Sequence, residues 1–73
     1  MNQRNLENLR KDLIGELEAI NQYQEHIEET EDQKIKEVLT HILNDEKEHV
    51  AELVKLLQEL DQSQKEKFEK EGL

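Results

Sequence analysis

The residues of this chain best suited to chemistry are a carboxylate and an imidazole three positions apart, Glu46 and His49, within Asp45-Glu46-Lys47-Glu48-His49. On a helix that spacing puts both side chains on one side, one turn apart, where they reach a single metal ion. In a chain with 19 acidic residues and three His the pair alone says little. Its place says more. At steps of three and four, Ile35, Leu39, Ile42, Glu46, His49, Leu53, Leu56 and Leu60 form one heptad stripe, apolar everywhere except at these two positions. An unpaired carboxylate in a packing seam is costly, so a stable fold must give Glu46 a partner.

The elements that position this pair follow from the same periodicity. Upstream, Leu6, Leu9, Leu13, Glu16, Ile20, Tyr23 and Ile27 repeat the steps of three and four, again with one acid in mid-seam. Leu17 and Ile14 widen that stripe, and Leu43, Val50 and Leu57 widen the other, a breadth suited to a multi-helix core rather than a two-stranded coil. There is no Pro, and Gly occurs only at positions 15 and 72, so no strand, sheet or phosphate loop is legible. The fold class predicted is all-α, an antiparallel two-helix hairpin. Thr30 and Gln33 have the form of a capping box, while Glu31 and Asp32 suit the positive end of a following helix. The turn is therefore placed at Thr30 and the second helix over residues 31–60. Residues 1–62 read as the hairpin and residues 63–73 as a polar C-terminal tail or short third helix, anchored only by Phe68 and Leu73.

In such a hairpin Glu16 lies 14 residues before the turn and Glu46 lies 16 after it, about 21 and 24 Å along the two helices at 1.5 Å per residue. The two carboxylates meet at one level. His49 is one turn further from the loop, and Tyr23 is two turns nearer to it on the face of Glu16. One hairpin cannot close a site, but two related by a two-fold axis would bring four carboxylates and two imidazoles into one four-helix bundle. That is the ligand set of a carboxylate-bridged di-iron or di-manganese centre, with Glu46 bridging and Glu16 and His49 terminal. Four carboxylates so close repel without cations, so metal binding and dimer stability should be coupled.

Composition narrows the classes. A single core of 73 residues supplies only about 3–5 kcal/mol, and with no Cys there is no disulfide, thiolate ligand or thiol nucleophile. A net charge of −9 and only two aromatics, Tyr23 and Phe68, argue against nucleic acid and against anionic membranes as partners. The high charged fraction leans toward disorder, which the strict heptads oppose. Without a transmembrane run, and with no signal peptide legible at Met1-Asn2-Gln3-Arg4, the expected compartment is cytoplasmic.

Residues 13–57 resemble the ferritin-like superfamily and, within it, the half-length encapsulated ferritins. The resemblance rests on Glu16-Leu17-Glu18-Ala19 followed by Tyr23, on Asp45-Glu46-Lys47-Glu48-His49, and on the 30-residue step between Glu16 and Glu46. It implies a hairpin that dimerises into a ferritin-like bundle, with Glu16, Glu46 and His49 as di-iron ligands at a subunit interface and Tyr23 beside them. It also implies ferroxidase activity on Fe(II) with dioxygen, for iron storage or detoxification, and delivery into an encapsulin shell. Two positions depart from the pattern: Gln22 stands where the family commonly has an aromatic residue, and Gly15 where it has an acid. Residues 69–73 do not read as a shell-docking peptide.

Blander readings stand beside these. Glu16, Glu46 and His49 could form a hydrogen-bonded polar layer that fixes helix register, making the chain a non-catalytic oligomerisation module. Peroxide scavenging of the rubrerythrin kind is a further alternative, though no Cys motif is present to feed electrons. His26 and His41 fall off the stripes, each displaced about 80° from the nearer ligand candidate at roughly 100° per residue, and read as solvated or interface residues. Glu18, Glu25, Glu48 and Glu52 read as a solvated acidic face, with a minority reading of Glu18 as a guide for Fe(II). The hard ligands suit iron and manganese alike.

Overall fold

A computed structural model describes residues 3–73. Met1 and Asn2, part of the opening segment read above as carrying no signal peptide, lie outside the described residues. Three helices follow in order: α1 (Gln3–Glu29), α2 (Gln33–Leu60) and α3 (Gln62–Lys70). The described residues form no strand. α1 and α2 pack along their length as an antiparallel hairpin, and α3 packs against the end of α2. The tail thus contains the short third helix.

The hairpin turn is built from side chains rather than from glycine. Thr30 N–H donates to the His26 carbonyl at 3.0 Å, which satisfies one of the orphan acceptors ending α1. Thr30 Oγ1 then accepts from Asp32 N–H at 3.2 Å, and Asp32 Oδ1 accepts from Ile35 N–H at 3.0 Å. The N-cap of α2 is therefore Asp32, not the expected Thr30. A carboxylate caps better than a threonine hydroxyl and also meets the positive end of the helix dipole, which leaves Thr30 free to hold the turn. α3 ends in a Schellman motif: Leu73 N–H reaches the Phe68 carbonyl, Gly72 N–H reaches that of Glu69, and Gly72 takes φ 76°.

The molecule is thin. Its extents are 45 × 27 × 14 Å, and its radius of gyration is 15.4 Å, against about 11 Å for a compact domain of this length. One layer of helices cannot bury a two-sided core, and among the described residues only Leu6, Leu43 and Leu57 are buried hydrophobics. The seam differs from the heptad stripe expected for α2. It runs along the flank, through Leu43, Val50 and Leu57, while Ile35 and Leu56 of the stripe are exposed. The apolar arc of α2 is wider than one neighbouring helix can cover, so α1 takes one edge and leaves the other open. Val38 on α2 (50% exposed) and Ile14 on α1 (54% exposed) mark further uncovered apolar surface.

Candidate metal centre

The helix registry brings Glu16, Glu46 and His49 together. Each offers one ligand atom, and the three atoms lie within 4.8 Å of one another. His49 Nδ1 stands 3.4 Å from Glu16 Oε2 and 3.7 Å from Glu46 Oε2. Glu16 comes from the middle of α1, and Glu46 and His49 come from successive turns of α2. The depth match read from the sequence is the geometry observed.

Burial is graded across the cluster. The Glu46 side chain is 18% exposed, Glu16 27% and His49 49%, so the two carboxylates lie against the seam and the imidazole faces outward. Glu16 Oε2 is itself buried and has no hydrogen-bond partner; its approach to His49 is a proximity rather than a hydrogen bond. A buried carboxylate oxygen without a donor costs free energy until a cation or donor reaches it. An orphaned acid oxygen beside a second carboxylate and an imidazole fits a divalent metal, and hard oxygen with borderline nitrogen fits iron or manganese. Three such groups would hold one ion without completing its ligand set.

Beside Glu16 and His49 opens a cleft of about 530 Å³, whose lining includes Lys11, Asp12 and Gly15 from α1 and Glu52 and Leu56 from α2. A Cβ placed on Gly15 would meet nothing within 4 Å, so packing inside one chain does not require glycine there. Sequence reasoning placed Glu52 on the solvated acidic face and did not single out Asp12. Their signal was available, since Asp12 lies one turn before Glu16 and Glu52 one turn after His49.

The remaining candidates stand apart from the cluster. Tyr23 is half-buried, seven residues along α1 from Glu16 and so about 10 Å away by helix rise. That separation places it on the same face of α1 as Glu16, two turns nearer the hairpin turn. His41 pairs with Asp45 across one turn at 3.5 Å on the exposed side of α2, and His26 lies exposed in the last turn of α1. Glu18, Glu25 and Glu48 are exposed.

A second polar cluster escaped the sequence reading. Asp61, between α2 and α3, accepts a 3.0 Å bond from Arg10 Nη2 of α1. The Arg10 guanidinium, then the Gln64 N–H and the Ser63 hydroxyl, hold its carboxyl below the ordinary carboxylate range. The Asp61-Gln62-Ser63-Gln64 run was a legible helix start, but its long-range cation was not.

Several known proteins have related sequences. The chain is 38% identical over 56 residues to an encapsulin nanocompartment cargo protein, EncC, of Myxococcus xanthus, covering 77% of this chain and 43% of that one. It is 39% identical over 59 residues to a ferritin-like-encapsulin shell fusion protein of Pyrococcus furiosus, covering 81% and 17%. A second Myxococcus xanthus cargo protein, EncB, is 36% identical over 58 residues, 80% and 37%. The chain therefore spans less than half the length of these relatives. No solved structure gives a significant match. Residues 1–71 match the EncFtn-like family, and the chain belongs to it.

Proposed function

We propose that this protein is a ferroxidase of the ferritin-like type, oxidising Fe(II) to Fe(III) at a centre shared between two copies of the chain. The observation that carries the reading is the convergence of Glu16, Glu46 and His49 at one level of the hairpin, with Glu16 Oε2 buried and unpartnered. One hairpin supplies two carboxylates and one imidazole on the side of an open cleft. A second copy related by a two-fold axis supplies the same set again, which makes the four carboxylates and two imidazoles of a di-iron site. The exposed Leu56 beside the cleft and Ile35 on the same stripe are apolar surface that such a pairing would cover.

In this assignment Glu16, Glu46 and His49 of each copy would hold the two iron ions, with Glu46 as the more buried of the two carboxylates. The iron supplies the redox chemistry, each Fe(II) giving up one electron with dioxygen as acceptor. The chain fixes the spacing of the ions and balances their charge with its carboxylates. Tyr23 stands two turns away as a phenol available for proton or electron supply. Manganese is accepted by the same ligands. No helix of the described residues is long and apolar enough to cross a membrane. The encapsulin cargo and shell proteins among the relatives support a place for this chain inside an encapsulin compartment in the cytoplasm.

The test is aerobic Fe(II) titration of metal-free protein, following Fe(III) absorbance and oligomer mass together. Oxidation saturating near one iron per chain, with assembly into even-numbered oligomers and both lost in Glu46→Ala, supports the reading. Absence of uptake with an unchanged oligomer would make the three residues a polar layer and the chain a structural hairpin.

A further inference from the structure

Asp61 takes no part in the metal cluster, yet it gathers bonds from all three helices. Its N–H donates to the Leu57 carbonyl at 2.8 Å, closing α2, and its own carbonyl accepts from Lys65 N–H at 2.9 Å. Its Oδ1 accepts from Gln64 N–H at 3.3 Å and from the Ser63 hydroxyl at 3.0 Å, capping α3. Its Oδ2 receives Arg10 of α1 at 3.0 Å. The residue is extended, with φ −110° and ψ 99°, and so breaks the helix between Leu60 and Gln62.

Nothing else in the local sequence demands a break. No Pro or Gly occurs from Gln33 through Glu71, and Gln62, Gln64, Lys65, Glu66 and Lys67 are all good helix formers. Were the helix continuous, the N–H groups of Gln62, Ser63 and Gln64 would find the carbonyls of Gln58, Glu59 and Leu60 four residues back. The interruption therefore competes with a complete backbone ladder, and the side-chain bonds that favour it converge on Asp61. The shape of the molecule agrees, because its longest extent of 45 Å barely exceeds the roughly 42 Å of α2 alone. α3 does not prolong the axis of α2.

We propose that Asp61 is a conformational latch: its side-chain bonds to Ser63, Gln64 and Arg10 hold α3 as a separate, angled helix, and their loss merges α2 and α3 into one straight helix. The merged helix would run about 57 Å from Gln33 to Lys70. The latch thus decides whether α3, followed by the exposed Leu73, stays beside the hairpin or projects beyond it. The Arg10 side of the latch is 46% exposed, so a competing anion can reach the tie to α1.

The absence of cysteine makes the test direct. Spin labels on cysteines introduced at the exposed positions Glu7 and Glu69 report the distance from α1 to α3 by pulsed electron resonance, with unlabelled protein in excess so that only distances within one chain are read. Asp61→Ala should lengthen this distance by roughly 10 Å and increase helical ellipticity at 222 nm, because the added turn replaces a break. Asp61→Asn should stay far closer to the native distance than Asp61→Ala, since its amide oxygen still caps α3 and only the bond from Arg10 is lost. An unchanged distance in Asp61→Ala would overturn the proposal by showing that packing alone angles α3. A broadened distance with lost ellipticity would overturn it by showing that α3 melts instead of merging.

Discussion

Two carboxylate clusters in this chain sit at similar depth and have opposite states. At the α2–α3 junction Asp61 is surrounded by donors of its own chain, with Arg10, the Gln64 N–H and the Ser63 hydroxyl on one side chain. In mid-hairpin Glu16 and Glu46 face one another and His49, and Glu16 Oε2 is buried without a donor. Both arrangements need positive charge or hydrogen-bond donors to be stable. One carries its cation in the sequence; the other is shaped for a cation from outside. A polar group that folding has already satisfied is structural. One that folding leaves unsatisfied, with open cleft beside it, is where function should be sought.

This contrast breaks most sharply under metal. Glu16→Gln should weaken Mn(II) or Co(II) binding at least about 100-fold, because loss of mere outer partners of a metal ligand already costs 10–100-fold. Asp61→Asn should leave the affinity unchanged. Competition with a chelating dye reads both without any turnover. Equal losses in the two variants would mean that the mid-hairpin cluster is not a specific site.

Removing the metal should reverse the sign of the comparison. Glu46→Leu replaces a half-buried acid close to a second carboxylate with an apolar side chain in an apolar stripe, and should stabilise metal-free protein by on the order of 1 kcal/mol. Asp61→Leu removes a cap and leaves Arg10 without its acid, and should destabilise. Urea denaturation of both variants in chelator decides the matter. A destabilised Glu46→Leu would show that the acid is satisfied in the metal-free chain, as in a polar layer.

How much of this was legible in the sequence follows from the range of each interaction. The hairpin was legible because period and breakers are local, and the site was legible because two stripes carried acids at matching distances from one turn. The cap at Asp32 was misassigned to Thr30 because two adjacent oxygen-bearing residues compete for one N-terminus, and pattern alone does not rank them. That Leu43 and Leu57, on the flank of the α2 stripe, are its most buried residues was not legible, because the apolar arc is wider than one contact and the sequence does not say which edge α1 takes. Arg10 and Asp61 lie 51 positions apart, and an exposed arginine in an amphipathic helix gives no sign of its partner.

Smaller effects sharpen the comparison. Tyr23→Phe removes a hydroxyl beside the cluster but no ligand, so metal stoichiometry should be unchanged and Fe(II) oxidation should slow only a few-fold. Stopped-flow absorbance at equal metal loading separates the two quantities. Loss of stoichiometry would move Tyr23 from the surroundings of the site into its ligand set.

The smallest expected effect concerns pH at the satisfied cluster. The Asp61 carboxyl is held below the ordinary carboxylate range, first by the bond from Arg10. Its pKa is thus lower folded than unfolded, and the stabilisation is present in full above the unfolded value, near 3.9. It is lost as pH falls through the folded value, which lies lower still. Wild type is read against Asp61→Asn, which keeps the cap and cannot ionise there, so that the difference isolates the Asp61 charge. The stability difference between the two proteins should stay level from about pH 7 to 5 and shrink below about pH 4. Added salt should lower the plateau, since Arg10 is half exposed and the pair is screened. A difference that persists unchanged below pH 3 would mean that Asp61 acts through shape alone, and that its charge contributes nothing to holding α1 against the junction.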